Sequence, residues 1–182
     1  MMFRSFRSIA GVLVLASSVA AIAATERLID PKSTISATFT VEKVPVEAPF
    51  HKFSGRIDYD PANPAVAKAS LEVQTASLDI GSADYNEEVQ NKKWFDVVHF
   101  PKGTFVSTAV VVKGPGKLQA TGNLTLKGKT APITLFVTVS KAGALNQFDG
   151  VFNISRKAFG IDDPQWNEVL EDNVKVKFRL LQ

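Results

Sequence analysis

The sequence predicts an all-β fold of eight antiparallel strands, and three observations predict it. Apolar residues recur with a period of two along most of the chain, and glycine- or proline-bearing turns separate the runs. One stretch alone loses the alternation for long enough to hold a helix. With 45% hydrophobic and 21% charged residues, the 182-residue chain has the composition of one folded domain with a sizeable core. It holds no cysteine and two histidines, His51 and His99. Those counts exclude a disulfide framework, thiolate metal sites, iron–sulfur clusters and a cysteine nucleophile.

Residues 1–23 precede the fold. Arg4 and Arg7 give a positive start, and Ile9 begins an apolar run shorter than the ~20 residues of a membrane span. Ala21-Ile22-Ala23 is a small-x-small cleavage signal. The reading is a cleavable export signal cut after Ala23, one β domain over 24–182, and a periplasmic location. Arg4 and Arg7 are the signal's only charges, so the exported chain is close to neutral. It carries no clustered Lys/Arg footprint of a nucleic-acid binder.

The elements follow in order. Residues 34–44 set Ile35, Ala37, Phe39 and Val41 against Thr34, Ser36, Thr38 and Thr40, and 50–59 read as a less regular strand. Residues 67–73 place Ala69, Leu71 and Val73 on one side. Residues 82–98 drop the alternation; Ser82 or Asp84 can cap a helix there, with Tyr85 and Val89 one turn apart on one face. Residues 103–113 and 117–127 flank Gly114-Pro115-Gly116, and Lys127-Gly128-Lys129 leads into Ile133, Leu135, Val137 and Val139. Residues 146–155 form the seventh strand. After an irregular stretch over 159–173, the last strand alternates Val174, Val176, Phe178 and Leu180 with Lys175, Lys177 and Arg179. Short connections make sequential neighbours pair antiparallel. Eight strands with one wet face must close or stack, because open edges recruit other chains. A closed barrel of this size is filled by side chains or holds one small ligand. A two-sheet sandwich fits the same periodicity.

No catalytic constellation is legible. There is no G-x-S-x-G elbow, and the two histidines lack H-x-H or H-E-x-x-H spacing. Asp162-Asp163 and Glu171-Asp172 stand beside Pro164 and Asn173 and read as turn formers. The chain therefore reads as a non-enzyme without metal or cofactor; an enzyme acting on a lipid would have to use His99 or Asp162 as its base. Binding has more to rest on. The alternation turns Phe39, Phe53, Leu71, Val73, Phe105, Phe148 and Phe152 inward, while Trp94, Phe95, Phe159 and Trp166 fall in the two irregular segments, where a barrel's mouth lies. These eleven are the candidate lining and mouth of an apolar cavity. Ala37, Ala69, Gly122 and Gly150 are small inward positions that leave it room.

Six stretches in register resemble the YceI-like family of lipid- and polyisoprenoid-binding proteins. They are Leu28-Ile29-Asp30-Pro31-Lys32-Ser33-Thr34-Ile35 at the opening, Phe53-Ser54-Gly55-Arg56-Ile57, and Ser77-Leu78-Asp79-Ile80-Gly81. The series continues with Lys92-Lys93-Trp94-Phe95-Asp96-Val97 followed by Phe100-Pro101, then the hairpin Gly122-Asn123-Leu124-Thr125-Leu126-Lys127-Gly128-Lys129-Thr130. It ends with Ile154-Ser155-Arg156-Lys157-Ala158-Phe159-Gly160-Ile161. The resemblance implies an eight-stranded lipocalin-like barrel with one or two short helices. It implies a carrier that sequesters a long-chain amphiphile: a polyisoprenoid, an isoprenoid quinone or a fatty-acid derivative. It further implies a homodimer as one option, and transient contact with a membrane or membrane protein as another. The alternative is a ligand-free β-sandwich module that binds another envelope protein. Many family members carry Arg-Asp followed by His-Leu in the helix, where this chain has Tyr85-Asn86-Glu87-Glu88-Val89, so head-group recognition is left open.

Overall fold

The computed structural model describes residues 28–182; the stretch 1–23, read above as an export signal, lies outside them. Nine strands form one antiparallel sheet: β1 (Thr34–Val41), β2 (Val44–Pro49), β3 (Phe53–Asp58), β4 (Lys68–Gln74), β5 (Lys102–Gly114), β6 (Lys117–Leu126), β7 (Lys129–Ala142), β8 (Leu145–Ser155) and β9 (Asn173–Leu181). The order across the sheet is β2-β1-β9-β8-β7-β6-β5-β4-β3. The all-β class and the lipocalin-like barrel stand, and two stacked layers are not formed. The strand count is nine, one more than the sequence predicts.

The extra strand has a physical origin. What reads as one run over 34–44 reverses at Glu42 and Lys43, which both take positive φ (49° and 68°) between the paired residues Val41 and Val44. Two left-handed central residues are the pattern of a tight hairpin that normally demands Asn or Gly. β2 also contains Pro45 and Pro49, which a sheet tolerates only because β2 is an edge strand. The β6–β7 hairpin uses the same geometry at Lys127 and Gly128 (φ 46° and 72°), with a glycine that announces it.

Elsewhere the alternation maps directly onto burial. Along β9, Phe178 and Leu180 are buried while Lys175, Lys177 and Arg179 face water. β7 turns Leu135 inward and leaves Phe136 exposed. The register irregularity between Ser107 and Ala109 in the 13-residue β5 adds local twist to a long strand, which helps the sheet curl. The edge strands β2 and β3 do not pair with each other. Instead residues 28–30 strap the gap: Ile29 N–H donates to Gly55 O of β3 (3.1 Å) and Asp30 N–H to Leu181 O of β9 (2.7 Å).

The inward glycines do not leave empty space. A Cβ on Gly122 would stand 2.5 Å from the Phe105 ring, and one on Gly150 would run into Phe178. Each glycine lets an aromatic ring from the neighbouring strand lie over its backbone. This corrects the expectation that Gly122 and Gly150 open the bore.

One end of the barrel is plugged. Tyr59 and Phe148 meet edge to face, with ring centroids 5.2 Å apart. Gln182 seals the same end, exchanging two main-chain hydrogen bonds with Asn146 and donating its side-chain amide to Ile57 O at 2.7 Å. The other end is built from α1 (Ala83–Glu88), the turns after it, and the 3-10 turns Lys157–Phe159 and Pro164–Trp166.

Candidate functional site

The residues inside the curl leave a cavity of about 390 Å³. Its wall comes from β1, β2, β4, β5, β6, β7, β8 and β9, and its rim from the irregular end. Side chains such as Ile35, Ala37, Leu71, Leu124, Leu135 and Val176 make it almost wholly apolar. Of the eleven residues named from sequence, Phe39, Leu71, Val73, Trp94, Phe95, Phe105, Phe152 and Trp166 line it. Phe53, Phe148 and Phe159 do not. Phe53 sits half-buried on the edge strand β3, opposite Val73. Phe148 fills the plugged end. Phe159 is buried in the turn Lys157–Phe159 as part of the core. Ala37 lines the cavity and Ala69 does not.

The helix is shorter than the stretch that breaks the alternation. α1 covers six residues, with Ser82 in the N-cap position but making no side-chain cap bond. Its face is as expected: Tyr85 and Val89 both line the cavity. Glu88, one turn after Tyr85, joins them there and accepts the Trp94 indole N–H at 3.0 Å. Sequence reasoning missed Glu88, although its i, i+3 spacing from Tyr85 puts it on the same face.

The two irregular segments are brought together by long-range polar bonds. Lys93 Nζ reaches Asp163 Oδ2 at 3.0 Å, Asp162 N–H donates to Lys93 O at 3.0 Å, and the Tyr85 and Trp166 rings meet at 6.3 Å. Burial pushes the Asp163 carboxyl up, but Lys93 and the Gln165 N–H groups outweigh it and hold the group below the usual carboxylate range. Glu42 N–H to Val169 O and Glu171 N–H to Thr40 O tie the second segment to β1. At the other side, Asp79 accepts from the Asn86 amide, Gly81 N–H and the His51 ring, which together hold its carboxyl down at about 2.

Arg156 is the hub of this end. It is 3% exposed, and every guanidinium N–H has an acceptor available. Nε donates to Glu171 O (3.1 Å), Nη1 to Ile161 O (3.1 Å) and Asp162 Oδ1 (2.8 Å), and Nη2 to Asn167 Oδ1 (2.9 Å) and Leu170 O (3.1 Å). Its carbon centre stands 6.0 Å from the Trp94 ring, a cation–π contact. The sequence marked Arg156 by motif but not by role. His51 and His99 pair with Asp79 and Asp96 on exposed side chains, and neither histidine lines the cavity. Among the described residues, no group of three or more His, Asp or Glu side chains could hold a metal ion.

Comparison with known proteins agrees with this architecture. The family model for the YceI-like domain matches residues 28–181. Over 122 residues the chain is 35% identical to a UPF0312 protein of Vibrio cholerae, covering 64% of this chain and 65% of that one. The match thus spans a little under two thirds of that relative's length. The crystal structure of BcnA from Burkholderia cenocepacia superposes with a TM-score of 0.81 at 40% identity, over 85% of this chain and 99% of that one. A polyisoprenoid binding domain from Saccharophagus degradans, implicated in plant cell wall breakdown, shares the fold, with a TM-score of 0.68 at 16% identity over 85% and 95% of the two chains. On fold, motif register and the extent of the match together, the chain belongs to the YceI-like domain family.

Proposed function

We propose that the protein is a non-enzymatic carrier that sequesters the tail of a long-chain amphiphile, an isoprenoid or related lipid, in the barrel. The single observation that carries this reading is the apolar cavity of about 390 Å³, plugged at one end and rimmed by aromatic side chains at the other. The Saccharophagus degradans neighbour, a polyisoprenoid binding domain by name, supports the ligand class. The carrier works in the periplasm, reached by cleavage of the leader after Ala23.

The magnitudes suit the task. At about 30 Å³ per heavy atom, the share a water takes in the liquid, the cavity holds roughly 13 heavy atoms. A buried methylene is worth about 0.8 kcal/mol, so ten of them gross about 8 kcal/mol before ordering costs. Micromolar binding needs about that much.

Native mass spectrometry of the protein purified from a bacterial periplasm tests the reading. We expect a co-purified lipid, and a mature N-terminus at Ala24. With a series of n-alkyl alcohols, affinity should tighten about fourfold per added methylene and level off near a dozen carbons. Protein that carries no lipid and shows no dependence on chain length overturns the carrier.

A further inference from the structure

Charge is divided unevenly over the barrel. The five strands β5–β9 hold eight Lys or Arg residues and one acidic residue, Asp149. The rest of residues 28–182 holds ten basic and sixteen acidic side chains. A chain close to neutral overall thus carries one strongly basic wall and an acidic remainder. Its lysines are scattered along the sequence, and only the register of the sheet gathers them.

The outer face of that wall is ordered in rows. One row runs Val111, Gln119, Phe136, Val151 and Lys177 across β5, β6, β7, β8 and β9. The row beside it runs Lys117, Thr138, Asp149 and Arg179. Phe136 is 65% exposed, and Val111 and Val151 are about half exposed. Single exposed apolar side chains are ordinary, but here three share one row with cations beside them. Arg179 is paired with Asp149, Lys102 with Glu72, and Lys117 donates to Thr138. Lys113, Lys175 and Lys177 form no hydrogen bond or ion pair among the described residues. With strands about 4.8 Å apart, the wall is ~19 Å wide, and ten residues of strand run ~33 Å.

These features fix the partner's chemistry. Cations spread over such an area, with exposed apolar side chains among them, match a surface that offers anions and hydrocarbon together. An anionic lipid bilayer does so: its head groups attract each Lys or Arg near the surface, and its acyl boundary takes the apolar side chains. A polynucleotide backbone would neutralise the lysines and leave the apolar row in water. A second copy laid face to face would set eight basic residues to one acidic against the same excess.

We propose that the outer face of β5–β9 docks the protein on an anionic membrane surface, Lys175 and Lys177 supplying attraction and Phe136 and Val151 entering the head-group layer. The wall runs alongside the bore, so docking holds the protein at a bilayer without covering the mouth. This surface is separate from the cavity and stands or falls apart from the carrier reading.

Vesicle co-sedimentation tests it, with vesicles of phosphatidylcholine alone and vesicles in which a third of the lipid is phosphatidylglycerol. The wild-type protein should bind the anionic vesicles more than about tenfold more tightly, and the advantage should shrink as salt is raised. That comparison needs no variant. Lys175→Gln together with Lys177→Gln should weaken binding to the anionic vesicles about fivefold per lysine, about 25-fold for the pair. Phe136→Thr, which keeps a strand-forming residue, should weaken it about tenfold. Lys43→Gln with Lys92→Gln removes the same charge from exposed positions off the wall and should change binding less than about threefold. All these variants should keep the wild-type urea midpoint and the wild-type affinity for n-alkyl alcohols, which separates a lost surface from a lost fold or cavity. Equal binding to both vesicle types, binding to neither, or a loss with the off-wall pair as large as with Lys175 and Lys177 each overturns the docking surface and leaves the carrier intact. Polyglutamate bound in preference to the anionic vesicles assigns the wall to an acidic protein and overturns it as well.

Discussion

The two ends of the barrel are held by different physics. The plugged end lies where the β5–β6 and β7–β8 hairpins turn and where the chain finishes, so local turn chemistry and the Tyr59–Phe148 contact suffice to close it. The open end is assembled from residues 75–101 and 156–172, which form no ladder with each other. Side chains fix it instead: Arg156 gathers three carbonyls, and Lys93 with Asp163 clamps one segment to the other. The contrast teaches that folding and access are assigned to separate residues. Strand pairing builds the container, and a small set of buried charges holds its mouth.

The largest effect should come from breaking the hub. Arg156→Met leaves the carbonyls of Ile161, Leu170 and Glu171 without their donor and Asp162 without its cation. The expected loss is about 3–5 kcal/mol in urea unfolding. Hydrogen exchange should locate it: the Glu42 and Glu171 amides, which tie 156–172 to β1, should exchange faster than those of the β5–β6 ladder. A loss below about 1 kcal/mol, spread evenly, would mean that packing alone shapes the mouth.

The matching change at the plugged end is Phe148→Ala. It deletes a core ring and its edge-to-face partner contact, and should cost about 3 kcal/mol. Binding should survive. The alkyl-alcohol series should level off at a longer chain, because the space Phe148 occupied extends the bore. If Phe148→Ala abolishes binding, the two ends are not separable.

The same contrast explains what could be read from the sequence. The wall was legible because burial follows the pleat: Val174, Val176, Phe178 and Leu180 show their side by period alone. The Glu42–Lys43 hairpin was not, since its two left-handed residues carry none of the Asn or Gly that such turns favour. Phe148 reads inward correctly, but period two says nothing of depth along the bore, so a plug and a lining residue look alike. Gly122 and Gly150 read as vacancies because a sequence does not show the ring of the neighbouring strand that covers them. Of the mouth, the chain order revealed Trp94, Phe95 and Trp166. It could not reveal that Trp94 donates to Glu88 across the irregular turns after α1, nor how the Trp166 segment is seated, which depends on Lys93 and Asp163, 70 residues apart.

Acid should distinguish the two ends by the smallest of these effects. Asp163 and Asp172 at the mouth are held below the usual carboxylate range against the opposing effect of burial, and Asp79 lies at about 2 against an ordinary 3.8. Asp149, on the outer face of β8 and bonded to Arg179, is the one such group on the wall among the described residues. A carboxyl whose pKa falls on folding stabilises the folded state above its unfolded value, and that contribution is lost as pH drops through the folded value. For Asp79 the window runs from about pH 4 down to about pH 2. Its loss should be local, because Asp79 anchors Asn86 of α1 and, through its own N–H to Pro49 O, the edge strand β2. Amide protection at Asn86 and Val89 should therefore fall across that window while the Asn146 and Gln182 amides at the plugged end stay protected. Asp79→Asn, which keeps the shape and removes the titration, should flatten the α1 profile and lower its protection at pH 7. Equal loss at both ends, or an unchanged α1 profile in Asp79→Asn, would show that this carboxylate does not set the mouth's response to acid.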